Sequence, residues 1–299
     1  MVSGISNSNE NKQSRIIPTI AGCAVGTVIP LSQIKDIFTP VSIRDAKNTA
    51  KYMQEFMPDV DTFKNTQANI EKILTNTGLK EKGVKVFIHD GSKECDNQFC
   101  DMLNKLDPSK KRLNEISKNN LFNNMKYGAN ACYIDNNKTV IINNKNLFTS
   151  VYHELGHAMN ANTNIFSKAL SKARNYITPM GISILAPITL AIGLAHKVDR
   201  NKPIEKKDKV EKTLDFVADN AGTITLVSYT PLLAEEGLAS IRGLNQAKKV
   251  LPKDKVSKLA KNYFKAWGTY AKVAAVTSAL VGLGVMISNA TKNNRSKEL

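Results

Sequence analysis

The chain has 299 residues, 42% apolar and 23% charged, which supplies enough apolar matter for a packed core and excludes global disorder. Lys and Arg number 42 against 26 acids, a net charge of +16, which excludes cationic partners and favours anionic ones such as a lipid surface. Aromatic residues are 6% with a single Trp, and no binding motif accompanies the charge, so no nucleic-acid partner is expected.

Residues 1–15 are polar and expected to be loose. An uncharged run, Ile16–Ile34, follows. Its Ile20-Ala21-Gly22-Cys23 has the look of a lipoprotein cleavage box, but the apolar stretch before it is only IIPTI, too short for a signal-peptide core. Cys23, Cys95, Cys100 and Cys132 include no C-x-x-C pair and read as reduced and structural. Residues 41–125 read as mainly helical. Phe63, Ile70, Ile73 and Leu74 recur at helical spacing within 61–79, Val84–His89 alternates as a strand, and short helices are predicted over 92–106 and 110–118, separated by Pro108. Ala131–Ile134 and Thr139–Ile142 flank Asp135-Asn136-Asn137-Lys138, a hairpin signal. A helix is predicted from Leu147 to about Asn160.

Three further uncharged runs cover 177–195, 220–234 and 273–291. Nineteen helical residues span about 28 Å, close to a bilayer core, and the Pro and Gly in these runs are better tolerated in membrane helices. Membrane contact is therefore expected, with a buried helical hairpin as the alternative. The expected organisation is a polar N-terminus and hydrophobic segment (1–40), a helical region with a small sheet and the motif helix (41–175), a hydrophobic helical pair with a basic loop (176–230), an acidic-pair helix and a basic helix (231–265) and a C-terminal hydrophobic segment with a basic tail (266–299). The fold class is mainly α with a small β-sheet.

The strongest chemical signal is His153-Glu154-Leu155-Gly156-His157. Residues i and i+4 share a helix face, so both imidazoles can reach one ion, while Glu154 can hold a water beside it without binding the ion itself. The chain has 4 histidines, and random placement would give the H-E-x-x-H pattern about 0.002 times. Zinc requires a third protein ligand and an open position. Asn160 and Thr163 rule out the extended H-x-x-G-x-x-H form, and no Asp or Glu lies between Glu154 and Asp199. His196, at the end of a hydrophobic run, would be remote if that run is a straight helix, and His89, at a strand end, reads as structural. The best source is the acidic pair Glu235-Glu236, on a helix for which Thr230 is a suitable N-cap and Pro231 a suitable first residue.

The order of hairpin, H-E-L-G-H helix, hydrophobic runs and E-x-x-A-S resembles the membrane zinc endopeptidases of the CAAX prenyl protease and HtpX type, over roughly residues 130–245. That resemblance implies a zincin-like core with a hydrophobic helical hairpin, a zinc cofactor held by His153, His157 and Glu236, and Glu154 as the catalytic base of peptide-bond hydrolysis. Its E-x-x-A-D-x-x-A motif falls on Glu236, Ala239, Ser240 and Gly243, with Ser240 replacing the Asp that supports a zinc histidine. Ala239 and Ser240 keep the turn small, so two helices can approach closely. Glu235, about 100° round the helix, is expected to face solvent or a lysine. Arg242 and Tyr263 are candidates for anion stabilisation, and Thr139–Asn143 for an edge strand that pairs with substrate. The resemblance implies protein or peptide substrates, membrane proteins among them. Basic flanks place the active site on the cytoplasmic side. The alternative from another class is an inactive membrane-anchored scaffold, with Ser240 as the first sign of decay.

Overall fold

The computed structural model describes residues 40–105, 115–180 and 184–295. The N-terminal run with Cys23, and Pro108, lie outside the described residues. Those described are mainly helical with one small mixed sheet, as predicted. The described residues divide into two compact units: those within 40–175 with 231–270, and those within 176–230 with 271–295.

In the first unit the helices are α1 (Ile43–Phe56), α2 (Phe63–Asn76), α3 (Lys93–Asn104), α4 (Glu115–Tyr127), α5 (Val151–Asn162) and α6 (Ile165–Met180). Three of them begin on predictable caps: the hydroxyls of Ser42, Thr62 and Ser92 each accept from the N–H three residues on. The strands are β1 (Lys85–His89), β2 (Cys132–Ile134) and β3 (Thr139–Asn143). β3 is central, parallel to β1 and antiparallel to β2. The hairpin forms where expected, with a 3-10 turn over Asp135–Asn137 and Lys138 at φ +52°.

All five residues of β3 are buried, because helices cover both faces. Val140 and Ile142 join Ile70 and Ile73 of α2 and Val151, Leu155 and Ala158 of α5 in one core. Ile141, on the other face, joins Phe99 of α3 and Met125 of α4 in a second. A strand buried on both sides shows continuous apolar character rather than alternation. The central position of β3 also corrects the expectation that Thr139–Asn143 is an edge. β1 and β2 occupy both of its hydrogen-bonding sides, so the edge of the hairpin is β2.

Two further differences concern helix starts. The motif helix begins at Val151 rather than Leu147. Leu147 adopts φ +58° and Phe148–Ser150 form a 3-10 turn. The N–H of Leu147 donates to Gln54 and that of Thr149 to Asp59, so the approach to α5 is tied to the end of α1 and the loop after it. The second concerns Thr230-Pro231, which starts nothing: α9 (Ala221–Ala247) runs through Pro231 without a break. Proline deprives the Val227 carbonyl of its donor, a cost of about 3 kcal/mol. Packing on either side of it, through Ala221 in one unit and Ala247 in the other, outweighs the local preference.

The second unit contains α7 (Ala186–Ala195), α8 (Lys209–Asp219), the first part of α9, and the later part of α10 (Lys253–Arg295). Leu190, Leu194, Ala218, Ala221, Val281 and Val285 form its core. The α7–α8 loop is locked by buried Lys207, whose ammonium donates to the Asp199 carbonyl (2.6 Å) and the Asp215 carboxylate (2.7 Å). His196 faces the other Asp215 oxygen at 2.6 Å. Lys207 and His196 together outweigh the effect of burial and hold that carboxyl below its usual range. Of the run 177–195, residues 177–180 end α6 and 186–195 form α7, and 221–234 lie within α9. Of the described helices, α10 alone is long and apolar enough to cross a membrane.

Candidate metal centre

α5 carries the H-E-L-G-H motif, and its first turn is held from outside. Both the N–H and the hydroxyl of Thr149 donate to Asp59, at 2.9 and 2.6 Å. The buried hydroxyl of Tyr263, from α10, accepts from the His153 N–H (2.9 Å) and donates to the Thr149 carbonyl (3.1 Å), the two groups that an unbroken helical turn would pair. Burial pushes the Tyr263 phenol well up. The Tyr263 hydroxyl, a candidate for anion stabilisation, is thus engaged by the backbone on both its donor and an acceptor side. Arg242, the other residue considered for that role, donates to Thr163 at 2.8 Å and is absent from the cavity wall.

α9 crosses α5 at backbone contact. A Cβ built on Gly156 would lie 2.0 Å from the Ala239 carbonyl oxygen, and one on Gly243 would lie 2.3 Å from that of Tyr152. The predicted close approach is therefore made by glycine and alanine together. It brings His153, His157 and Glu236 to one point. The two Nε2 atoms are 3.0 Å apart, and Glu236 Oε2 is 3.1 Å from that of His153 and 3.6 Å from that of His157.

Glu235 does not face solvent. It is fully buried, 2.9 Å from His157 Nδ1, and receives a hydrogen bond from Asn160 Nδ2 at 3.0 Å. Neighbouring helix residues do diverge, but an imidazole has two nitrogens on different edges. Glu236 reaches the Nε2 side and Glu235 the Nδ1 side of the same ring. Ser240 Oγ stands 3.1 Å from His153 Nδ1. A carboxylate accepts only, so His157 carries a proton on Nδ1, and with a cation bound its Nε2 would turn a lone pair inward. In that bound state His153 would do the same, its Nδ1–H donating to Ser240 Oγ.

Two buried carboxylates need a counter-charge, and Arg174 of α6 supplies it. Its Nη2 is 2.5 Å from Glu236 Oε1 and its Nη1 3.4 Å from Glu235 Oε2. For Glu236 the effect of burial is outweighed by the histidines and Arg174, and its carboxyl is held well below the usual range. Burial and Arg174 pull His157 down, but the two glutamates outweigh them and raise it to about 10. Glu154 is buried beside this cluster and lines the cavity, and no hydrogen bond or ion pair engages its carboxylate among the described residues.

The donor set fits a small divalent cation. Tetrahedral zinc ligands at about 2.0–2.2 Å from the ion lie about 3.3–3.6 Å from one another. The three atoms here stand 3.0, 3.1 and 3.6 Å apart. Three converging lone pairs repel unless a cation or proton sits among them, and the outward edge of each ring already has a partner. The three atoms border a cavity of about 370 Å³ that Ala131, Cys132 and Tyr133, at the edge strand β2, also line.

The structure places His153, His157, Glu154 and Glu236, the residues singled out from the sequence, next to one another, and adds Arg174 and Asn160, which sequence reasoning missed. Arg174 carried a signal: Ser167, Ser171 and Arg174 lie at i, i+4 and i+7, a small polar face on α6 that leads to the basic residue two buried acids require. His89 is fully buried between the Gly91 N–H and Asp96, a structural role as expected. No protein-family model matches this chain, and comparison with curated proteins and with solved structures returns no match.

Proposed function

We propose that the protein is a zinc-dependent metalloendopeptidase with a zincin-like core, of the CAAX prenyl protease and HtpX type, that hydrolyses peptide bonds of protein substrates at a membrane. The observation that carries this reading is the convergence of His153 Nε2, His157 Nε2 and Glu236 Oε2, each held from behind, with an unengaged glutamate next to them. When zinc is bound, such a site supplies a Lewis acid that polarises a carbonyl and activates water. Glu154 takes the proton of the attacking water and delivers it to the leaving amine. Glu235 and Ser240 fix the tautomer and orientation of the two imidazoles, and Arg174 keeps Glu236 turned so that one oxygen faces the histidines. β2 offers its free edge to an extended peptide. Ser240, which motivated the inactive-scaffold reading, occupies a supporting position on His153, and that favours the enzyme.

The test is Glu154→Gln. The variant removes the base and no ligand, so elemental analysis should find the same zinc content as in the parent, with peptide hydrolysis reduced by at least about a hundredfold. Zinc-free, folded parent protein would overturn the reading.

Membrane attachment is supported by α10, where Val276, Leu283 and Ile287 form an exposed stripe beside Met286 at 60% exposure. The Lys-rich first half of that helix, from Lys253 to Lys272, favours a cytoplasmic active site. The protein should remain in the pellet when membranes are washed with alkaline carbonate. A soluble monomer without detergent would refute attachment.

A further inference from the structure

We propose that the cavity beside the candidate metal centre is a subsite for one large apolar side chain, of the size of Phe, Leu or Met, in a peptide substrate; this rests on the peptidase reading above and names what that site selects. The chain has 42 basic residues, yet among the described residues no lysine lines the cavity. Every charged residue of its wall belongs to the cluster already described: Glu154, Glu236, Arg174 and the two histidines. The Arg174 guanidinium is occupied by Glu235 and Glu236. Among the described residues Glu154, beside the metal centre, is the one charged wall residue without a partner, so a charged substrate side chain lying against the rest of the wall would lose its water without gaining a counter-ion.

Apart from Asn130, Ser150, Ser240 and Thr269, the rest of the wall is apolar or aromatic, and much of it comes from α1 and the residue that ends it. Tyr52, Met53, Phe56 and Met57 line the cavity from there, and Trp267 lines it from α10. The Tyr52 and Phe56 rings stack at 5.8 Å with an interplanar angle of 11°, a flat apolar plate. The Trp267 Nε1–H donates to the Leu233 carbonyl at 2.9 Å, which fixes the ring and spends its polar atom on the backbone. The two thioethers can adjust to side chains of different shape. Burial of an apolar side chain against this wall gains about 25 cal/mol per Å². β2 borders the same cavity, so a peptide paired to that edge would have side chains within reach of the wall. α1 lies outside residues 130–245, so the preference does not follow from the resemblance described for that region.

Trp267 is the only Trp in the chain, and its fluorescence therefore reports on this cavity without any need for hydrolysis. The experiment titrates the zinc-loaded full-length Glu154→Gln protein with capped peptides acetyl-Ala-Ala-X-Ala-Ala-amide, X being Phe, Leu, Lys or Asp. The Phe and Leu peptides should shift the emission saturably and bind at least about tenfold more tightly than the Lys and Asp peptides. Met53→Lys and Tyr52→Lys, each at an exposed or half-buried position and each checked for an unchanged melting temperature, should abolish that discrimination. Equal affinity for all four peptides, or discrimination that survives both variants, would overturn the subsite. Apolar peptides that bind but are left uncut by the parent protein would overturn the peptidase reading and leave the subsite standing. Cleavage of all four at equal rates would do the reverse.

Discussion

Replacing Glu236 by alanine will lower zinc affinity by more than about a hundredfold, and replacing Glu235 will lower it by about ten- to hundredfold. The ranking follows from which nitrogen each acid faces. Glu236 Oε2 is one of the three converging atoms, so its loss removes a ligand and leaves Arg174 beside the ion without its closer partner. Glu235 faces Nδ1 of His157, so its loss frees the ring to turn and lowers its basicity but keeps all three ligands. Competition with a chromogenic chelator measures both constants. A larger loss at Glu235 would show that the ligand is the other glutamate, and negligible losses at both would move the third ligand elsewhere. Ser240→Ala, acting on His153 through a neutral hydroxyl, should cost less than Glu235→Ala.

Gly156→Ala will disrupt the site more thoroughly than any change in its ligands. The added methyl would stand 2.0 Å from a backbone oxygen of α9, and backbone cannot rotate out of the way as a side chain can. The helices must separate. Overpacking of this kind costs about 1–3 kcal/mol and sometimes more. The separation also carries Glu235 and Glu236 away from the imidazoles, so a lower melting temperature and a loss of zinc affinity should appear together. Gly243→Ala, with 2.3 Å to the Tyr152 carbonyl, should behave alike. Gly268→Ala, where nothing lies within 4 Å, is the control and should change neither. An unperturbed Gly156→Ala protein would mean that the two helices are not in contact there.

What was legible in the sequence was what depends on local chemistry. The hairpin was readable because Asp135 to Lys138 carry turn-forming side chains between two apolar runs. The helix face of His153 and His157 follows from a spacing of four. The close crossing at Ala239 was readable because small residues recur around the acidic pair. What was not legible depends on which surfaces meet. Nothing around Glu235 says that the Nδ1 edge of His157 will be in front of it. Pro231 is a strong local signal for a helix start and was overruled by packing on both sides of it. The edge reading of β3 rests on the family resemblance alone, while its nearly continuous apolar run is what a strand covered on both faces shows. Arg174 could have been sought by charge balance alone, since two buried acids call for a cation.

The Tyr263 hydroxyl has a consequence for how the protein is made. Ser150 provides no side-chain cap to α5, and the turn that carries His153 is completed by a phenol 110 residues further along the chain. A ribosome that has synthesised the whole H-E-L-G-H motif, and even both glutamates, has not yet delivered the group that closes its first turn. For the peptidase proposed above, this timing matters, because the nascent chain is itself the nearest peptide. The motif helix reaches its finished form only once the segment through Tyr263 has emerged and docked, when most of the chain has already left the exit tunnel.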